Sequence, residues 1–174
     1  MLQHGAKSSL AVSDGLTPLH IAAQIGNLDI LKLFLETHLG YMTTTKQDNF
    51  GETPLFRAIG NAPDNVLAKV VQILLKKDSS AVNINNEDNT SPLELALLRT
   101  NPEVIKLLIN NGATITNKLV SEAAELMKQS SKQLCNNIWF LDKRSQSNNN
   151  LAECAKIIIQ TKSLDISESP KARM

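Results

Sequence analysis

Aromatic residues are scarce in this chain of 174 residues: one tryptophan, one tyrosine and four phenylalanines, 3% of the total. The hydrophobic content is nevertheless 42%, so one continuous core is affordable and must be built from Leu, Ile, Val and Ala, the residues of close-packed helices. Charge of either sign is not in excess. Eighteen Lys and Arg stand against 17 Asp and Glu, a net +1, which excludes a strong general field for nucleic acid or an anionic membrane. No apolar run approaches the roughly 20 residues that span a bilayer; the stretch 30–35 is interrupted by Lys32, and 157–159 is too short. The opening Met1-Leu2-Gln3-His4-Gly5 lacks a basic region followed by an apolar one, so it does not read as a secretory signal. Cysteine is limited to Cys135 and Cys154, which favours free thiols in a reducing compartment, with a disulfide between them as the other reading. Zinc needs clustered ligands, and His4, His20, His38, Cys135 and Cys154 are scattered. Neither a Gly-x-x-x-x-Gly-Lys nor a Gly-x-Gly-x-x-Gly loop is present. No metal, no cofactor and no enzyme active site are expected.

What the chain does have is self-similarity. Thr17-Pro18-Leu19-His20-Ile21-Ala22-Ala23 returns as Thr53-Pro54-Leu55-Phe56-Arg57-Ala58 and again as Ser91-Pro92-Leu93-Glu94-Leu95-Ala96, with the prolines 36 and then 38 residues apart. A period of this size predicts stacked units instead of one globule around a pocket. In each unit a Thr or Ser caps a helix and the proline takes the first helical position, where its missing N–H costs nothing. Gly26 is expected to end the first helix in the left-handed conformation. A second helix then carries Leu28, Ile30, Leu31, Phe34 and Leu35, and its counterpart in the third unit is capped by Asn101 and carries Val104, Ile105, Leu107, Leu108 and Ile109. The second unit has four extra residues between its helices, close to one turn of 3.6 residues. That spacing predicts a lengthened helix capped by Asp64, with Val66, Val70, Ile73 and Leu74 on one face.

These residues resemble the ankyrin repeat, whose unit of about 33 residues carries Gly-x-Thr-Pro-Leu-His-x-Ala-Ala. Gly15 to Ala23 matches that stretch in full; Gly51-Glu52-Thr53-Pro54-Leu55 matches and then departs at Phe56; Asn89 replaces the glycine in the third unit, a swap that Asn permits because it also tolerates positive φ. The resemblance implies an all-α solenoid, with a partial closing turn at 1–11, units near 12–47, 48–85 and 86–116, a divergent helical cap at 117–164 and a flexible tail at 165–174. The cap is expected as helices at 117–130 and 150–162 around a polar loop near 143–150. The turn at Leu2-Gln3-His4-Gly5-Ala6 looks like the end of an earlier repeat, as if the chain began inside an array. Trp139-Phe140-Leu141 would seal the end of the stack or offer an apolar site to another protein.

By the same resemblance, the concave face binds a protein partner. Transferred by motif position it comprises Asp14, Leu16, Gln24 and Ile25; Asn49, Phe50, Glu52, Gly60 and Asn61; and Glu87, Asp88, Thr90, Leu98 and Arg99. Phe50 is the sharpest candidate, since an aromatic at a loop tip either anchors a partner or folds back on Ile25 or Phe56. Glu52, Glu87 and Asp88 favour a partner with basic side chains. His20 is read as a structural bridge to the next unit, and Lys76-Lys77 and Lys128, Lys132, Lys143 and Arg144 as solvated faces. A monomer in the cytoplasm is expected, binding neither nucleic acid nor membrane. The asparagine-rich stretches are similar to those of bacterial ankyrin effectors, which would place it in a host cytoplasm. The alternative is the targeting arm of a larger enzyme or secreted effector.

Overall fold

Three short helices start where a hydroxyl stands before a proline. Thr17, Thr53 and Ser91 are extended residues whose side-chain oxygens accept from the amides of His20, Phe56 and Glu94, opening α1 (Pro18–Ile25), α3 (Pro54–Asn61) and α5 (Pro92–Leu98). In α1 and α5 the bond is reciprocated, His20 and Glu94 reaching back to the cap amide. Each short helix is followed by a partner: α2 (Leu28–Glu36), α4 (Asp64–Lys77) and α6 (Pro102–Asn110). Two longer helices, α7 (Asn117–Asn136) and α8 (Arg144–Glu168), complete the chain. The computed structural model describes residues 14–37, 43–136 and 144–168, and among these there is no strand.

The short helices stack side by side, α1 on α3 and α3 on α5, while α2, α4 and α6 form a second row behind them. Close approach is possible because Ala22, Ala58 and Ala96 stand at the contacts, at most 4% exposed. Leu19, Leu55 and Leu93 occupy one position in the three units and are all essentially buried. Removing such a leucine side chain costs about 2–5 kcal/mol, so each unit depends on its neighbour for stability. Gly26 ends α1 at φ 75°, its amide donating to the carbonyls of Ala22 and Ala23. A Cβ there would lie 2.7 Å from a Val66 methyl, so glycine is required by conformation and by space.

The lengthened middle helix is present: α4 has 14 residues where α2 and α6 have nine. Its cap differs from expectation. Pro63 holds the cap position with no side-chain bond, and Asp64 is the first helical residue, its carboxylate turned to Arg99 instead. Val70 and Leu74 are buried as expected, but Leu67, Val71 and Leu75 complete the stripe, while Val66 and Ile73 are only half-buried.

The first outer helix also departs from expectation. Leu31 and Leu35 are buried, but Ile30 is 42% exposed and Leu28 and Phe34 are half-buried. Val70 and Val104 hold the position of Ile30 in the next two units, and Leu74 and Leu108 that of Phe34; all four are buried by the preceding helix pair. Ile30 and Phe34 face the side of the first pair that no described helix covers, where they line an apolar groove with Pro18, Ile21 and Ile25.

The polar segment read as a loop is helical: α8 runs through Ser145–Asn150. Asn and Ser are mediocre helix formers, but nothing in the segment is Gly or Pro, so a helix anchored further along extends back over it. Cys154, Ala155 and Ile158 provide that anchor, fully buried against the body of the stack. The helix continues to Glu168, past the expected start of the tail at 165. The expected closing turn at 2–6, the cluster at 139–141 and the end of the tail lie outside the described residues.

Candidate functional site

The loops between helix pairs are built as a ladder. Asp48 to Glu52 forms a tight turn in which the Asp48 amide donates to the Glu52 carbonyl, and residues 86–90 repeat it, the Asn86 amide donating to the Thr90 carbonyl. Gly51 and Asn89 supply the positive φ, 71° and 58°. Successive turns are tied by backbone bonds: the Asn49 amide donates to the Asp14 carbonyl and the Glu87 amide to the Phe50 carbonyl, each at 3.0 Å. A Cβ on Gly51 would meet the Glu87 amide nitrogen at 2.7 Å, so glycine lets the turns approach this closely. Gln47 adds a side-chain bridge, its amide donating to the carbonyls of Gly51 and Asn85.

His20 joins the first unit to the second. Its Nδ1 lies 2.7 Å from the Thr17 hydroxyl and 3.1 Å from the Thr17 amide, both of which donate to it. Its Nε2–H therefore donates to the Glu52 carbonyl at 3.0 Å. That is the neutral tautomer, and burial pushes the imidazole pKa below its usual 6.5. This is the bridging role the sequence suggested.

Asp48 is the hub of the central turn. Its side chain is fully buried, accepts from the amides of Phe50 and Glu52, and takes the Arg57 Nε at 2.7 Å. Burial alone would raise its pKa, but those two amides and the guanidinium hold it below the ordinary carboxylate value. Arg57 Nε is equally close to Glu52, whose pKa burial raises against the pull of Arg57. The guanidinium carbon also sits 5.3 Å over the Phe50 ring. Phe50 lies against Arg57 and leaves 53% of its surface exposed. Arg57, absent from the sequence-based site, is what orients Phe50.

The remaining expected residues fall into two groups. Asp14, Ile25, Asn49, Asn61, Glu87, Asp88 and Leu98 are exposed on the loop tips or at the ends of the short helices; Leu16, Gln24, Gly60 and Thr90 are half-buried beside them. Ile25 and Leu98 are the most open large apolar side chains of the short helices, at 62% and 68%. Arg99 is engaged within the chain. It donates to the carbonyls of Gly60 and Ala62 and to Asp64, closing the end of α3 onto the third unit. Cys154 is buried, which pushes its thiol up to about 11, so it packs as an apolar residue. Among the described residues no group of three His, Cys, Asp or Glu is placed to hold a metal ion, and no helix is long and apolar enough to cross a membrane.

Stacked helix pairs whose turns hydrogen-bond into a continuous edge define a repeat solenoid. The chain belongs to the ankyrin-repeat family: the model for ankyrin repeats in three copies matches residues 1–68 and 47–118. It is 35% identical over 96 residues to alpha-latrocrustotoxin-Lt1a of Latrodectus tredecimguttatus, covering 55% of this chain and 6% of that protein. It is 33% identical over 101 residues to neurogenic locus notch homolog protein 1 of Mus musculus, covering 58% and 4%. A shorter match, 36% over 72 residues, links it to the B-cell lymphoma 3 protein homolog of Mus musculus, covering 40% and 15%. The matched stretch is thus a small part of each of these longer relatives. Ankyrin repeats generally serve as protein–protein interaction modules and are typically non-catalytic.

Proposed function

We propose that this chain binds a protein partner through the face formed by α1, α3, α5 and the linked turns, as a monomer and without catalysis of its own. The observation that carries this is the exposure of Phe50 on a linked turn and of Leu98 at the end of α5, each on a backbone already fixed by neighbouring units. A scaffold ordered before contact loses little conformational freedom on binding, so a few apolar anchors suffice. Asn49 adjoins Phe50, and the turns holding Asp14, Glu87 and Asp88 are tied to its turn by backbone bonds, which gives this edge a mildly acidic cast. Arg99 acts here as a support, since its donors are committed to the second unit. The test is affinity capture from cell lysate followed by binding to Phe50→Ala and Leu98→Ala protein. A partner whose affinity both variants leave intact removes this face.

The matched relatives are far longer than the aligned stretch, which favours a second reading. On it, the same face recruits a target for a larger enzyme or secreted effector. A catalytic domain encoded next to this sequence would support it.

A further inference from the structure

The three regular short helices stack, but α7 does not continue the row. In α1, α3 and α5 the buried leucine stands two residues after the cap: Leu19 after Thr17, Leu55 after Thr53, Leu93 after Ser91. In α7 the Thr116 hydroxyl accepts from the Leu119 amide, and the buried leucine is Leu119 itself, three residues on. The alignment shifts likewise from Leu97, six after its cap, to Ala123, seven after. A slip of one residue turns a helix by about 100°. The face that α7 shows to α5 is therefore Lys118, Glu122 and Glu125 instead of a strip of alanine. α7 packs on α8, and a groove of about 350 Å³ opens between it and α5.

The floor of this groove is apolar, made by Leu97, Leu98 and Leu126, and its walls carry Glu94, Glu122 and Glu125 with Lys118, while Lys128, just beyond the lining, pairs with Glu125 at 3.5 Å. Lys118 bridges Glu94 at 3.3 Å and Glu122 at 3.6 Å with 70% of its side chain exposed. Glu94 is only 11% exposed and also accepts from the Ser91 amide, whereas the Glu122 pair is exposed on both sides and contributes little, so an incoming cation can take the place of Lys118 there. Beyond Thr90, the exposed carboxylates of Glu87 and Asp88 make no ion pair among the described residues. The wall and this approach are acidic; the floor is greasy.

Resting on the reading above that the inner face binds protein, the geometry points to a specific occupant for the α5–α7 groove. It takes a partner segment with one apolar side chain flanked by lysine or arginine. The apolar residue covers Leu98 and Leu126, and the cations meet Glu122 and Glu125.

The test is selection of a random linear-peptide display library on the full chain. Selected peptides are then measured by fluorescence anisotropy on Leu98→Glu, on Glu122→Lys/Glu125→Lys and on Phe50→Ala, each checked for its melting transition. Lys76→Glu, on the outer row, serves as a charge control. The expected result is enrichment of peptides pairing an apolar residue with Lys or Arg. Their affinity should fall roughly tenfold or more on the first two variants, fall further with added salt, and stay unchanged on the Lys76 variant. Peptides that depend on Phe50 but not on Leu98 overturn this proposal and leave the broader face standing. Peptides that depend on none of these positions, or no enrichment, overturn this proposal, while the broader face stands or falls by the capture experiment above. Self-association of the chain abolished by Leu98→Glu would seat a second copy in the groove and also overturn it.

Discussion

His20→Ala probes the link between the first two units and has a calculable consequence. The wild-type imidazole accepts from the Thr17 amide and hydroxyl and donates to the Glu52 carbonyl, 32 residues away. Each such bond contributes about 0.5–1.5 kcal/mol, and groups left unsatisfied in a buried place add to the cost. The loss should total about 3 kcal/mol. For a chain of this length 1 kcal/mol moves the melting temperature by roughly 2–4 °C, so Tm should fall by roughly 6–12 °C. The pH dependence sharpens the test. Burial lowers the imidazole pKa in the folded chain below 6.5, so the unfolded chain binds a proton more readily. The stability from this group is therefore full above about pH 6.5 and declines as pH falls toward the lowered native pKa. Urea unfolding of wild type and variant at about pH 7.5 and about pH 5.5 should show a gap that narrows at the lower pH. A gap of the same size at both values would refute the neutral, hydrogen-bonded imidazole on which the argument rests.

Three further outcomes are expected. Gly51→Ala forces a methyl to 2.7 Å from the Glu87 amide at φ 71°, and should cost about 1–3 kcal/mol by urea unfolding, more than an exposed turn would suggest. Arg99→Ala removes two carbonyl partners at the junction of the second and third units; it should lower stability by about 1–3 kcal/mol in the same assay while Arg99→Lys restores only part. Cys154, buried with its thiol pushed up to about 11, should resist alkylation at neutral pH in the native chain and react on unfolding, as read by mass-spectrometric mapping.

The fold was legible because ankyrin grammar is local. A hydroxyl before a proline announces a cap, alanine at a fixed offset announces close helix contact, and an insertion of four residues preserves a helical face; α1, α3, α5 and the long α4 follow from these. What stayed hidden depends on neighbours distant in sequence. Asp64 looked like a cap by type, but its carboxylate turns to Arg99, 35 residues on. Ile30 fits its stripe and yet lies open, because burial at that position is supplied by a preceding helix pair. Phe50 was singled out as a loop-tip aromatic, but its partner Arg57 was not. That pairing requires knowing that Asp48 is buried and draws the guanidinium over the turn. The α5–α7 groove arises from a one-residue slip between cap and leucine, a signal visible in Thr116 and Leu119 once the cap hydrogen bond is known.

The most direct measurement is hydrogen exchange of the chain with and without a captured partner. The account predicts new protection in residues 14–25, 48–61 and 86–99, with α2, α4 and α6 unchanged. Protection confined to those outer helices, with the inner row and its turns unaffected, would contradict it.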